Sequence, residues 1–294
     1  MPADRRISMV VITRNEGFRL KDTVQNLEDT LPGNAEILVV DDASTDGSTA
    51  FLAAGRKRRV RLIETPGIGV AKARNAGGRR ARGDVLIFAD AHLWLPSDWW
   101  KALLDSLADP RVGGVAPVIA GMNPKHLEGY GITFRDPSLE VRWIRRKPRV
   151  PTPVPILPGC TFAMSRAAFE CPCGGWDDGL LQRGNVDNEC SVRLWLLGYK
   201  LLLVPDVVVK HYYRKRAPFN VGAAEYLHNR LRMAFAHFND ERLRAVISSL
   251  RNYEGFPEAL RLIASSAIAE RRRQLLAVRK HTDNWFFDRF NLNW

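Results

Sequence analysis

The stretch Val85-Leu86-Ile87-Phe88-Ala89-Asp90-Ala91-His92 restricts the possible folds of this chain more than any other. Five apolar residues in a row, with no polar alternation, describe a strand buried on both faces, the habit of parallel sheets. An acid and a histidine follow, two residues apart. In extended backbone, residues i and i+2 project to the same side. Asp90 and His92 therefore leave the C-terminal end of a buried strand together, at the edge where open α/β sheets bind ligands. A carboxylate beside an imidazole suits Mn²⁺ or a similar divalent ion. The bland alternative is a strand-end acid that caps the next helix, beside a surface histidine.

The residues before this stretch supply its context. Ser8 to Thr13 reads as a buried strand that ends in Arg14-Asn15-Glu16-Gly17. Phe18, Leu20, Val24, Leu27 and Leu31 then recur at helical spacing. Glu36 to Val40 is a second strand, ending in Asp41-Asp42, with a helix expected to follow from a cap at Ser44 or Thr45. Val60 to Ile63 is a third strand, and Gly67-Ile68-Gly69 opens a helix through Ala71, Ala73, Asn75 and Ala76. This β-α-β-α-β-α-β order predicts a mostly parallel sheet flanked by helices. Polar clusters end the first, second and fourth strands, so all three fall on one sheet edge. Gly67-Ile68-Gly69 lacks the third glycine of a dinucleotide fingerprint, and no phosphate-loop motif is present.

After His92, the spacing predicts a helix over Ser97–Leu107 with Ser97 as cap and Trp100, Leu103, Leu104 and Leu107 on one face, then a strand over Val112–Ile119. Residues 142–158 mix Arg142, Arg145, Arg146, Lys147 and Arg149 with five prolines. That density excludes helix and central strand and predicts a long loop over the site, or a plain linker. A helix through Val192, Leu194, Trp195 and Leu196 is ended by Gly198, with Asp187 and Glu189 in its first turn, where the dipole favours acids. Leu201–Val204 and Val207–Val209 are strand-like, and the second runs into His211.

The chain has 294 residues, room for one large domain or two smaller ones. Its net charge of +12 favours a polyanionic partner: nucleic acid, an anionic membrane or a phosphorylated substrate. The apolar run Met9–Ile12 is too short for a signal peptide, and no uncharged stretch is long enough to cross a bilayer. A cytoplasmic protein is expected, with peripheral attachment at the inner face of the membrane left open. Cys160, Cys171, Cys173 and Cys190 lack zinc-site spacing and read as free thiols.

Taken together, the pieces resemble a nucleotide-sugar glycosyltransferase of the GT-A fold and, within that class, the catalytic domain of the polypeptide N-acetylgalactosaminyltransferases and their bacterial relatives. The matching pieces occur in order: Val11-Ile12-Thr13 with Asn15-Glu16, Val40 to Ser44, Ala73-Arg74-Asn75, Asp90-Ala91-His92, Gly174-Gly175-Trp176-Asp177, Arg193 with Gly198, and His211 to Phe219. The resemblance implies a metal-dependent transferase of hexosyl type, with Mn²⁺ or Mg²⁺ on Asp90, His92 and His211. It implies donor binding by Thr13, Asn15, Glu16, Asp42, Arg74, Asp90, Ala91 and Arg214, with Arg214 on the diphosphate and Thr13 and Asp42 on uridine. Where those enzymes carry Trp-Gly-Gly-Glu-Asn, this chain has Arg183-Gly184-Asn185-Val186-Asp187. Asp187 instead matches the base of inverting GT-A enzymes. Inverting chemistry is the leading expectation, and retaining chemistry of the N-acetylgalactosaminyltransferase kind stays open. The donor is expected to be a UDP-sugar. The acceptor, whether glycan, lipid-linked glycan or peptide, is unspecified, and the lectin domain usual in those enzymes is not expected within these 294 residues.

The resemblance covers residues 8–219, so a catalytic domain over 1–219 and a basic helical subdomain over 220–294 are expected. Arg230, Arg232, Arg242, Arg244 and further cations stud the tail, and Trp285, Phe286, Phe287, Phe290 and Trp294 crowd its end. Such a tail either lies on an anionic membrane or packs its apolar stripe on the catalytic domain. Two other functions fit the chain less well. A nucleotidyltransferase wants a glycine-rich basic loop after the first strand, which Thr13-Arg14-Asn15-Glu16-Gly17 is not. A non-enzymatic binder of membrane or nucleic acid gives no reason for Asp90, His92 and His211 to converge, and no specific nucleic-acid contact is expected.

Overall fold

Strands that are apolar on both faces take the middle of the sheet. The structure is a computed structural model, and it describes residues 5–53, 59–123, 125, 127–214 and 222–294. The alternating half comprises β1 (Ile7–Thr13), α1 (Phe18–Thr30), β2 (Glu36–Asp42), α2 (Ala50–Ala53), β3 (Val60–Thr65), α3 (Val70–Arg80) and β4 (Val85–Asp90). It continues through β5 (Leu93–Trp94), α4 (Trp99–Ser106), β6 (Val112–Gly121), β7 (Ile132–Phe134), β8 (Val141–Trp143), β9 (Thr152–Pro153), β10 (Thr161–Ser165), α5 (Arg166–Glu170), α6 (Val186–Leu196) and β11 (Lys200–His211). The tail folds as α7 (Ala223–His237), α8 (Asp240–Leu250), α9 (Phe256–Ala264), α10 (Ile268–Val278) and α11 (Asp283–Arg289).

The main sheet runs β3-β2-β1-β4-β10-β6-β11-β5, with β9 added to β11. β1, β2, β3 and β4 are mutually parallel, and β6 and β11 are parallel to each other. β10 is antiparallel to both β4 and β6, which brings β11 into the same direction as β4. The C-terminal ends of β1, β2, β4 and β11 therefore share one edge. The register pairs Ile12 with Asp90 and Thr13 with Asp41, so the polar ends are level with one another.

β4 is buried on both faces, as its unbroken apolar run requires. Leu86 and Phe88 enter one hydrophobic cluster, while Val85, Ile87 and Ala89 enter the other. The second cluster is closed by α1 and α4. The first is closed by α3 and α6 and also by tail residues Leu227, Leu231, Phe238, Phe286 and Phe287. Phe88 makes an edge contact with Trp176 at 4.4 Å between ring centroids. The closing aromatics pack inward as well, with Phe287 on Phe238 at 5.3 Å and on Trp294 at 4.7 Å.

Several local expectations are corrected. Ser44 and Thr45 cap no helix, because they serve the first-strand loop: Asn15 N donates to Ser44 Oγ (2.9 Å) and Thr45 N to Asn15 Oδ1 (2.7 Å). The helix waits until Ala50. α4 starts at Trp99 behind Asp98 in a left-handed conformation, with no side-chain cap, and it buries Trp99 fully and Trp100 only in part. Phe18 begins α1 but is 67% exposed. The two strand-like runs before His211 form one strand with a register shift between Val204 and Val208. The proline-rich segment includes β9, whose Pro153 sits on an edge strand, where a missing N–H costs least. Glu189 is not a cap. It lies at 0% exposure with Arg193 Nε at 3.1 Å and His237 Nε2 at 2.9 Å, tying α6 to α7.

Several tail arginines lie inside the helical packing. Arg232 makes a two-pronged pair with Asp177 at 2.7 and 2.9 Å, Arg242 meets Asp283 at 2.8 Å, and Arg272 donates to the Phe235 and Phe238 carbonyls. These cations fasten helices together. The expected domain limit at 219 and the end of the His211–Phe219 piece fall on residues outside the described ones.

Candidate active site

Asp90 ends β4, His92 follows in the bend and His211 ends β11, so three strand-level features meet at one edge. The two Nε2 atoms lie 3.1 Å apart. Asp90 Oδ2 is 3.5 Å from His211 Nε2 and 4.0 Å from His92 Nε2. Two ligands each about 2.1 Å from one ion sit about 3 Å apart at a right angle, so the trio fits a single divalent cation. Glu16 Oε2 holds His92 Nδ1 at 2.9 Å, which leaves Nε2 turned to its partners. Glu16 also pairs with Arg214. Burial raises the Asp90 carboxyl, but a hydrogen bond from His211 and the charges of His92, His211 and Arg74 outweigh it and hold the carboxyl below its ordinary value.

A second constellation lies beside the first. Arg74, on α3 and only 2% exposed, pairs with Asp187 in the first turn of α6. It donates to the Gly159 carbonyl at 2.6 Å and stands 3.8 Å from Asp90. One guanidinium thus links the end of β4, the start of α6 and the turn before β10. Gly159 is required there, since a Cβ would overlap the Asp187 carboxylate. Burial pushes the Asp187 carboxyl above its ordinary value. Arg74 opposes the shift and Asp90 adds to it.

These groups line a cavity of about 800 Å³. Thr13, Glu16, Asp42, Arg74, Asp90, Ala91, His92, Asp187, His211 and Arg214 all reach its wall. Thr13 is 4% exposed, and its Oγ1 is buried with no protein partner. The Asp42 carboxylate accepts from Thr65 Oγ1 (2.7 Å), Ile68 N (2.6 Å) and Gly69 N (2.8 Å), bending the 67–69 turn over the end of β2. Asn15 sits behind the lining, in the contacts to Ser44 and Thr45.

Sequence reasoning gave no site role to Trp143, Tyr213, Tyr226, Arg230 or the Pro158-Gly159-Cys160 turn, all of which line the cavity. The proline-rich segment was the one signal for Trp143 and Pro158. Tyr226 and Arg230 stand on α7, where the pattern is that of an ordinary amphipathic helix. Burial drives the Cys160 thiol well above its ordinary pKa, which makes it a poor nucleophile.

A twisted α/β sheet, an ion-sized trio at its C-terminal edge and an open cavity there define the class of proteins that bind nucleotides across such an edge. Residues 8–171 match the model of glycosyl transferase family 2, and the chain belongs to that family. It is 32% identical over 253 residues to human polypeptide N-acetylgalactosaminyltransferase 15, covering 77% of this chain and 39% of that one. It is similar to GalNAc-T7, solved with UDP, GalNAc and Mn²⁺, at a TM-score of 0.82 and 25% identity over 98% of this chain and 57% of that chain. This likeness extends over the tail, which the sequence resemblance had left out. A mannosyltransferase from Pyrobaculum calidifontis, solved with GDP-Man and Mn²⁺, shares the fold alone, at TM-score 0.56 and 22% identity over 93% of this chain and 74% of that chain. The chain spans about two-fifths of the length of the curated relatives it matches.

Proposed function

We propose that this chain moves a sugar from a UDP-sugar to an acceptor hydroxyl with the help of Mn²⁺ or Mg²⁺. The observation that carries the proposal is the meeting of Asp90, His92 and His211 at the sheet edge. A divalent ion held by these three would neutralise charge on the departing diphosphate without proton transfer. The protein's own groups do the rest. Glu16 fixes the His92 tautomer and places Arg214 at the cavity wall, where its guanidinium can meet the diphosphate. Thr13 offers a buried hydroxyl that lacks a protein partner, suited to the base or ribose. Three of the roughly four lone-pair sites on Asp42 are taken by the 65–69 turn, leaving capacity for a ribose hydroxyl. Asp187 faces the cavity with its basicity raised by burial, which suits the removal of a proton from the acceptor, with inversion at the sugar carbon.

A second reading is retaining transfer to a polypeptide. It is favoured by the likeness to GalNAc-T7 and to human polypeptide N-acetylgalactosaminyltransferase 15. The test is calorimetry of UDP and GDP with and without Mn²⁺, followed by a donor screen scored by hydrolysis. Ion-dependent binding with UDP preferred is expected. Ion-independent binding would remove the metal role, and a guanine preference would remove the uridine assignment. The anomeric configuration of the product separates the two readings.

A further inference from the structure

One wall of the cavity carries positive charge that the protein answers only in part, Glu140 being the one carboxylate near it on that side among the described residues. Arg74 and Arg214, on the ion side, are paired with Asp187 and Glu16. On the other side, the exposed side chain of Arg183 lines the cavity and has no carboxylate partner among the described residues. Arg230, 6% exposed, donates Nη1 to the Ser138 carbonyl at 3.0 Å. Its nearest carboxylate, Glu140, is 4.0 Å away and is shared with Arg135 at 3.4 Å. The Tyr226 ring lies 4.9 Å from the Arg230 guanidinium and is 40% exposed.

This wall is built, not incidental. Asn229, fully buried on α7, takes the Leu181 N–H at 2.8 Å and donates to the carbonyls of Leu181 (2.7 Å), Arg183 (3.3 Å) and Gly184 (2.9 Å). Gln182 O accepts from Val70 N at 2.8 Å, which fastens the same loop to the start of α3. Gly184 has φ +100°, and a Cβ there would overlap the Tyr226 ring, so loop and ring are in direct contact. Arg183 is thus carried on a loop held at both ends beside Tyr226 and Arg230.

We propose that Arg183, Arg230 and Tyr226 form a subsite for an anionic group, carboxylate or phosphate, that belongs to a substrate but is not the donor's diphosphate. The subsite rests on the functional reading above, which assigns the diphosphate to the Asp90–His92–His211 side. The anion has two sources: the donor sugar, as in a uronic acid, or the acceptor. A guanidinium met by a bound anion makes charge-assisted hydrogen bonds that a neutral hydroxyl cannot match.

Calorimetry on the full chain with Mn²⁺ tests both sources. The donor arm compares UDP-glucuronate with UDP-glucose. The acceptor arm loads the protein with UDP and compares glucose 6-phosphate and glucuronate with glucose. In at least one arm the anionic compound should bind about tenfold or more tighter. Arg183→Ala should bring that preference to within about twofold while leaving plain UDP affinity unchanged, and Arg183→Lys should restore part of it. Because Arg183 is exposed, its variants should stay folded. Equal binding within every pair by the wild-type protein would overturn the subsite. So would an Arg183→Ala loss that falls equally on plain UDP, which would put the guanidinium on the diphosphate. Absence of any ion-dependent UDP binding would instead remove the functional reading, and the subsite with it.

Discussion

Asp90, His92 and His211 stand at strand ends, whereas Arg183, Tyr226 and Arg230 stand on a loop and a helix that no strand positions. The first group is placed by the sheet itself. Backbone pairing sets Ile12 level with Asp90 and carries β11 past β6 to His211, so the ligand atoms fall within reach of one another. The second group is placed by side chains: Asn229 under the loop, and the Glu189–Arg193–His237 cluster between α6 and α7. Backbone ladders tolerate a changed side chain, but a wall held by side-chain hydrogen bonds does not. The strand-end ion ligands should therefore lose chemistry when mutated and keep the fold, while changing the buried side chains that hold the far wall, Asn229 and Glu189, should cost stability.

The largest effect is expected at Asp90. Asp90→Ala should bring turnover below detection and abolish ion-dependent UDP binding, with a thermal midpoint close to wild type, since the carboxylate adds little to the core. A large drop in midpoint would show that the ion side, too, depends on its side chains. Asp187→Asn comes next. A lost base lowers the rate by about 10²- to 10⁴-fold with UDP affinity retained. Because Asp187 also answers the buried Arg74, stability should fall as well, and rates need comparison below the variant's transition. Near-normal turnover would remove Asp187 as the base.

Glu189→Gln probes the far wall and carries a pH signature. Burial would raise the Glu189 carboxyl, but Arg193, the His237 hydrogen bond and the charges of His237 and Arg271 hold it well below its ordinary 4.5. A depressed folded-state pKa adds stability that is fully present above the unfolded value and is lost as pH falls through the folded one. Wild type should therefore weaken steadily as the pH drops below about 4.5, and Glu189→Gln should show a flatter acid limb. At neutral pH the variant should be less stable by about 3 kcal/mol, measured by urea unfolding. Parallel acid limbs would mean that the ion cluster contributes little.

Asn229→Ala removes four loop hydrogen bonds and should cost about 1–3 kcal/mol, with faster amide exchange at residues 181–184. Unchanged exchange there would show that the Val70 contact alone fixes the loop. The smallest effect is expected on the ion side again. Thr13→Val should weaken UDP by about 1 kcal/mol without changing stability, because its hydroxyl has no partner within the protein. A stability change instead of an affinity change would make Thr13 structural.

Much of this arrangement was legible in the residues alone. The unbroken apolar run of β4 called for a two-faced buried strand, and the Asp-x-His that follows it put two ligands on one side. The β-α alternation placed four strand ends at one edge, because parallel connections allow little else. These are consequences of local period and chain direction, which a sequence displays. Tertiary structure alone decided what those side chains meet. It paired Arg74 with Asp187, set Glu16 at the cavity wall against both His92 and Arg214, and turned Arg232, Arg242 and Arg272 inward as fasteners. It also brought Tyr226 and Arg230 to the cavity from more than a hundred residues beyond Asp90. None of these pairings has a period or a spacing. Each exists only because helices that follow the sheet fold back onto its open face to bury their apolar stripe, carrying along whatever charged residues share those helices.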